Sequence, residues 1–142
     1  MAFLIQFVLA YLSTLGFTIL FNIPRRNILA ASFIGACGWL IYYAHHESSG
    51  SKIMAAFWGA FIAGVLGEIF ARIKKEPATL FIIPGIVPLV PGAGMYYTMA
   101  NIVDNNLSEA GKVGTETILI ALSIAIGIIL ATSLSKVTKK NP

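Results

Sequence analysis

Long apolar runs alternate with short polar breaks along the chain, at a repeat close to the thickness of a bilayer. A helix needs about 20 mostly apolar residues to cross the hydrocarbon core, and five segments approach that length: 1–22, 28–45, 53–72, 79–101 and 115–135. The breaks between them are too short to hold a soluble domain. The pattern therefore predicts an all-α integral membrane protein, a single transmembrane domain over residues 1–142. The first run has no Lys or Arg before Arg25 and no small-residue cleavage site, so it is read as a span and not as a leader peptide.

Two further patterns lie inside the spans. Small residues recur every fourth position in the third (Ala56, Ala60, Gly64, beside Gly59, Ala63, Gly67, Ala71) and in the fifth (Ser123, Gly127, Ala131, Ser135). Such ridges let helix backbones approach closely in lipid, where apolar burial alone gives little drive. Part of that surface is available to another subunit, a second copy included. The fourth span behaves differently: IIPGIVPLVPGAG, residues 82–94, sets three prolines and three glycines among branched aliphatics.

Composition agrees with a bilayer environment. Hydrophobic residues make up 57% of the chain and charged ones 11%, against about 25% charged in an ordinary soluble domain, and the mean hydropathy is +0.81. Charge then orients the spans. Arg25 and Arg26, then Arg72, Lys74 and Lys75, then Lys136, Lys139 and Lys140 fall in alternate breaks, while Lys52 and Lys112 stand alone in the others. The positive-inside rule puts the N-terminus outside and the C-terminus in the cytoplasm. The net charge of +4 thus reflects topology, and without an aromatic-laced basic patch there is no nucleic-acid partner. Trp39, Tyr42 and Tyr43, with Tyr96 and Tyr97, are read as an outer aromatic belt.

The broken span suggests a ligand. Pro84, Pro88 and Pro91 each lack an N–H, so the carbonyls of Leu80, Pro84 and Val87 lose their helical partners. The motif lies near the centre of the span, where irregular backbone is tolerated only if protein covers it or it lines a wet cavity. A second half-helix starting near Gly92 would offer the N–H groups of Gly92, Ala93, Gly94 and Met95 to a carboxylate. The proline-side carbonyls would accept from an ammonium, and the two together fit a small zwitterion such as an amino acid. The competing reading is a kinked helix with its breaks covered by neighbours.

PGIVPLVPG (84–92), preceded by Pro77 and followed by Tyr96, resembles the proline-rich signature of the threonine/serine exporter family, in the half that also exists as a separate small membrane subunit. FNIPRRN (21–27) and GEIFARIKKEP (67–77) resemble the family at matching places. The resemblance implies a partner, a larger five-span subunit, and a secondary exporter of threonine and serine in a bacterial plasma membrane. Small dicarboxylates such as succinate are the alternative cargo. The break, together with this signature, makes Pro84, Gly85, Pro88, Pro91, Gly92, Ala93, Gly94 and Tyr96 the substrate-binding candidates; Tyr97 stands where many relatives place a basic residue.

Glu68 is the one acidic residue well inside a span, with Arg72 four positions on along the same face. An intramembrane carboxylate is a functional candidate by default, so Glu68 and Arg72 are the proton-coupling candidates. The alternative is a structural ion pair near the cytoplasmic end. His45, His46 and Glu47 are read as a solvated loop and Cys37 as a packed small residue, and neither a metal nor a cofactor is expected. A channel or structural subunit remains the other class of function. An enzyme does not fit, because no HExxH motif or intramembrane Asp pair is present.

Overall fold

The computed structural model describes residues 1–139, so Lys140 of the C-terminal basic cluster lies outside the described residues. Six helices follow one another with no strand among the described residues: α1 (Ala2–Leu20), α2 (Arg25–Ser49), α3 (Lys52–Lys74), α4 (Thr79–Ile86), α5 (Gly92–Val103) and α6 (Leu107–Lys139). α1, α2, α3 and α6 are each long and apolar enough to cross a membrane, and α4 with α5 forms a pair bent by 50° at the break.

Local chemistry sets the boundaries. α2 begins directly after Pro24, whose carbonyl accepts from Asn27 N–H at 2.8 Å. It ends at Gly50, where φ is +68° and the N–H returns to the His46 carbonyl, a left-handed cap that costs glycine least. Ser51 then caps α3 through its hydroxyl, 3.4 Å from the Met54 N–H. α6 starts at Leu107, well before the expected span at 115, because a three-residue turn, Asp104–Asn106, suffices after α5. The break between the fourth and fifth apolar runs is therefore mostly helix, with Lys112 bonded to Glu109 at 3.4 Å along the first turns of α6.

α1 is built inside out relative to a soluble helix. It buries Ala10, Thr14 and Thr18 while Leu4, Leu12 and Leu20 stand exposed. The hydroxyls cost little to bury because each donates to a carbonyl of its own helix, Thr14 to Ala10 at 2.8 Å and Thr18 to Leu15 at 2.7 Å. Only a surrounding that is itself apolar makes this arrangement favourable.

α3 is the hub, and its two small-residue ridges serve different neighbours. The Ala56–Ala60–Gly64 ridge meets α6: a Cβ on Gly64 would come within 2.7 Å of Ala131, and one on Gly127 within 2.8 Å of the Phe57 carbonyl. The Gly59–Ala63–Gly67 ridge meets α2 and α4, with Gly59 against the Gly38 carbonyl and Gly67 against Ile82. Pairing runs in register, Lys52 beside Glu116, Gly64 beside Ala131, Arg72 beside Ser135, so α3 and α6 are parallel. A loop re-entering from one side would have reversed α6. The α4–α5 pair therefore carries the chain from one end of the bundle to the other.

Candidate functional site

The break is assembled from tight local turns. Val87–Leu89 form a single 3-10 turn, in which the Val87 N–H bonds to the Pro84 carbonyl and the Val90 N–H to the Val87 carbonyl at 3.2 Å. Pro91 follows with φ −78° and ψ 57°, and Gly92 N–H returns to the Val90 carbonyl at 2.8 Å. This is an inverse γ-turn, whose central torsions suit a proline ring and whose centre needs no donor. Two of the three carbonyls expected to be free are thus reused. Of the four expected amides, Gly92 and Met95 are also engaged, Met95 to the Pro91 carbonyl at 3.1 Å, which leaves Ala93 and Gly94 at the start of α5.

Along the α4–α5 pair the break falls midway, between Thr79–Leu89 and Gly92–Val103, but against α3 it lies off centre. Leu89 packs against Gly59, seven residues after Lys52 and fifteen before Lys74 in α3, or about 10 Å from one end and about 22 Å from the other at 1.5 Å per residue. The physical reason is the length of α4 with its 3-10 turn, which climbs two thirds of α3 before Pro91 turns the chain. The break accordingly opens toward the end of the bundle that carries Lys52.

A cleft of about 300 Å³ lies there, lined by Pro88 and Pro91 to Gly94 of the motif together with Trp39, Tyr42, Lys52, Glu116 and Thr117. Lys52 Nζ and Glu116 Oε1 face each other at 3.2 Å, both half exposed. Trp39 and Tyr42 depart from the belt expectation: their rings stack at 5.1 Å, and the Trp39 indole N–H donates to Gln6 Oε1 at 2.9 Å. That hydrogen bond turns the indole inward, so it forms a wall and not a lipid anchor. Trp39 and Pro88 also border a second cleft of about 220 Å³, on the α1 side, with Gln6 and Ser13.

The remaining motif residues are placed elsewhere. Pro84 and Gly85 are buried in the core, where a Cβ on Gly85 would meet Ile34 at 2.9 Å. Tyr96 is 68% exposed on the outer side of α5 and takes no part in the cleft. Gly94 sits so close to α6 that a Cβ would fall 2.2 Å from Thr117 Oγ1, while one on Gly92 would meet nothing within 4 Å.

Glu68 and Arg72 lie sixteen and twenty residues beyond Lys52 on α3, so Glu68 is about 24 Å away along the helix. They are joined through α6 and not to each other: the Ser135 hydroxyl donates to Glu68 Oε2 at 2.6 Å, and Arg72 donates to the Ser135 hydroxyl at 2.7 Å and to its carbonyl. These side chains border a larger cleft of about 580 Å³ with Lys75, Glu76 and Lys136 at the opposite end of the bundle. Beside it, Arg26 pairs with Glu76 and Lys74 donates to the Arg26 carbonyl, tying the two short connections together. The structure therefore separates the two groups of candidate residues onto opposite ends of α3.

Lys52, Glu116, Thr117 and Gln6 escaped the sequence reading because each looked like the polar end of its span. One signal was available. Lys52 extends the ridge Ala56–Ala60–Gly64 by one turn, and Glu116 lies on the face of α6 that continues through Ile120, Ser123 and Gly127, so facing the two ridges brings the charges together.

Among known proteins, the family described as Threonine/Serine exporter, ThrE, matches residues 6–134 of the chain. No solved structure matches the chain.

Proposed function

The chain belongs to the threonine/serine exporter family, and from that premise we propose that it is the small subunit of a two-component exporter that moves threonine and serine out of the cell. In this reading its five spans place the N-terminus outside and the C-terminus in the cytoplasm of a bacterial plasma membrane. A larger five-span subunit of the same family completes the transporter. The observation that carries the substrate assignment is the cleft at the α4–α5 break. It has room for an amino acid, and the Ala93 and Gly94 amides at the start of α5 are free to meet a carboxylate. Succinate suits the cleft less well, because Glu116 would face a dianion there. Glu68, held by Ser135 beside the opposite cleft, is the proton-coupling residue of this proposal, with Arg72 as its charge partner.

The test is efflux from cells loaded with threonine- and serine-containing dipeptides, comparing cells that have this chain with cells lacking only it, and following succinate in parallel. Faster loss of threonine and serine is expected. Threonine and serine rates that do not differ between the two kinds of cell would refute the assignment, and a gain confined to succinate would transfer it to dicarboxylates.

A further inference from the structure

Lys52 and Glu116 supply the two opposite full charges among the described residues that line the break cleft. They lie 64 positions apart in sequence and come from the same ends of two parallel helices. Holding α3 to α6 does not require them, since the Gly64–Ala131 and Gly127–Phe57 contacts already bring the backbones together. Their side chains are 47% and 46% exposed, a setting in which an ion pair adds little stability. Both remain free to exchange partners with a solute in the cleft.

We infer that Lys52 and Glu116 read the two charges of the amino-acid substrate, separating as the zwitterion enters between them. This rests on the amino-acid reading of the cleft proposed above. The substrate ammonium takes the Glu116 carboxylate and the substrate carboxylate takes the Lys52 ammonium, so one ion pair is exchanged for two and the cleft gains no net charge. A zwitterion carries both charges on one carbon, so the contact pair, 3.2 Å apart when closed, has to open only by the width of that group to meet both. A hydroxy acid would leave Glu116 unpaired, and an amino alcohol would leave Lys52 unpaired; stranding a polar partner in a site built for it is what makes such discrimination steep. Trp39 and Tyr42 give the substrate side chain an aromatic wall.

The experiment is competition for threonine transport in everted membrane vesicles from cells carrying the chain with its native membrane partners. The competitors are 3-hydroxybutyrate, which is threonine without its ammonium, and threoninol, which lacks the carboxylate. Wild type should prefer threonine to each by at least tenfold. Glu116→Gln should cut the preference over 3-hydroxybutyrate by about tenfold and spare that over threoninol, and Lys52→Gln should do the reverse. Equal weakening of all three ligands would overturn the inference. Where a single variant does not accumulate, the swap Lys52→Glu with Glu116→Lys keeps the interhelix tie. It should assemble yet transport at least tenfold less, because the zwitterion must then bind end for end with its side chain against the opposite wall; full transport by the swap would reduce the pair to a tie and overturn the inference. Vesicles whose wild type moves no threonine would sink the exporter reading itself, whereas active wild type with unchanged selectivity in both variants would sink this inference alone.

Discussion

Gly92 and Gly94 stand two residues apart and meet opposite surroundings. A Cβ at 92 points into open space and one at 94 into the Thr117 hydroxyl. Gly92→Leu should therefore leave membrane levels unchanged while its side chain crowds the cleft, lowering threonine efflux at least tenfold; wild-type efflux would show that the cleft is not used. Gly94→Ala should act through packing. Thr117 has to swing away and give up its 2.7 Å bond to the Val113 carbonyl, a loss of about 1 kcal/mol that a thermal melt in detergent would register. At the far end of α3, Glu68→Gln keeps an acceptor for the Ser135 hydroxyl and removes the charge. If Glu68 carries protons, efflux of this variant should lose its response to an imposed pH gradient at normal membrane levels, and an unchanged response would leave Glu68 a structural acceptor.

At the scale of elements, the bend and the ridges follow from backbone chemistry. The inverse γ-turn at Pro91 separates α4 from α5, and Pro91→Ala restores a donor that can reach toward the Val87 carbonyl. The helix should then extend through the break, and spin-label distances between Thr79 and Val103 should lengthen as the 50° bend relaxes. An unaltered distance would mean that Pro88 and the flanking packing alone hold the bend. The α3–α6 contact admits no such relaxation, because the atoms facing Gly127 are the Phe57 carbonyl and the Phe61 N–H. Gly127→Ala should destabilise the bundle by about 1–3 kcal/mol, whereas Gly16→Ala, inside α1 with nothing within 4 Å, should leave the melt unchanged or raise it slightly, because alanine is the better helix former. Equal melts for the two would argue against close α3–α6 packing.

For the whole molecule, the parallel course of α3 and α6 means that the α4–α5 pair runs from one end of the bundle to the other, and the proposed topology makes that pair a membrane crossing with the α2–α3 and α5–α6 connections on the outside. In a Cys37→Ser background, single cysteines at Ser49 and Asn105 should react with an impermeant thiol reagent from outside, and one at Lys75 only after the membrane is opened. Labelling of Ser49 and Asn105 from opposite sides would break the crossing. Exposed Met95, Met99 and Val103 place α5 at the margin of the bundle, packed chiefly on α6 among the described residues.

The sequence by itself determined the membrane environment, the helix limits to within a few residues for α1 and α3, the break between α4 and α5 and the small-residue ridges. Those features are one-dimensional: run length, charge spacing, missing proline donors and a period of four are all readable before any helix meets another. It did not reveal how the break closes, because reuse of the Pro84, Val87 and Val90 carbonyls depends on torsions that the proline count leaves open. Nor did it place Trp39 in a wall or Lys52 beside Glu116. Only the tertiary structure decided those, since the register of α3 against α6 is set where glycine ridges touch, and that contact determines which distant charges share a cleft.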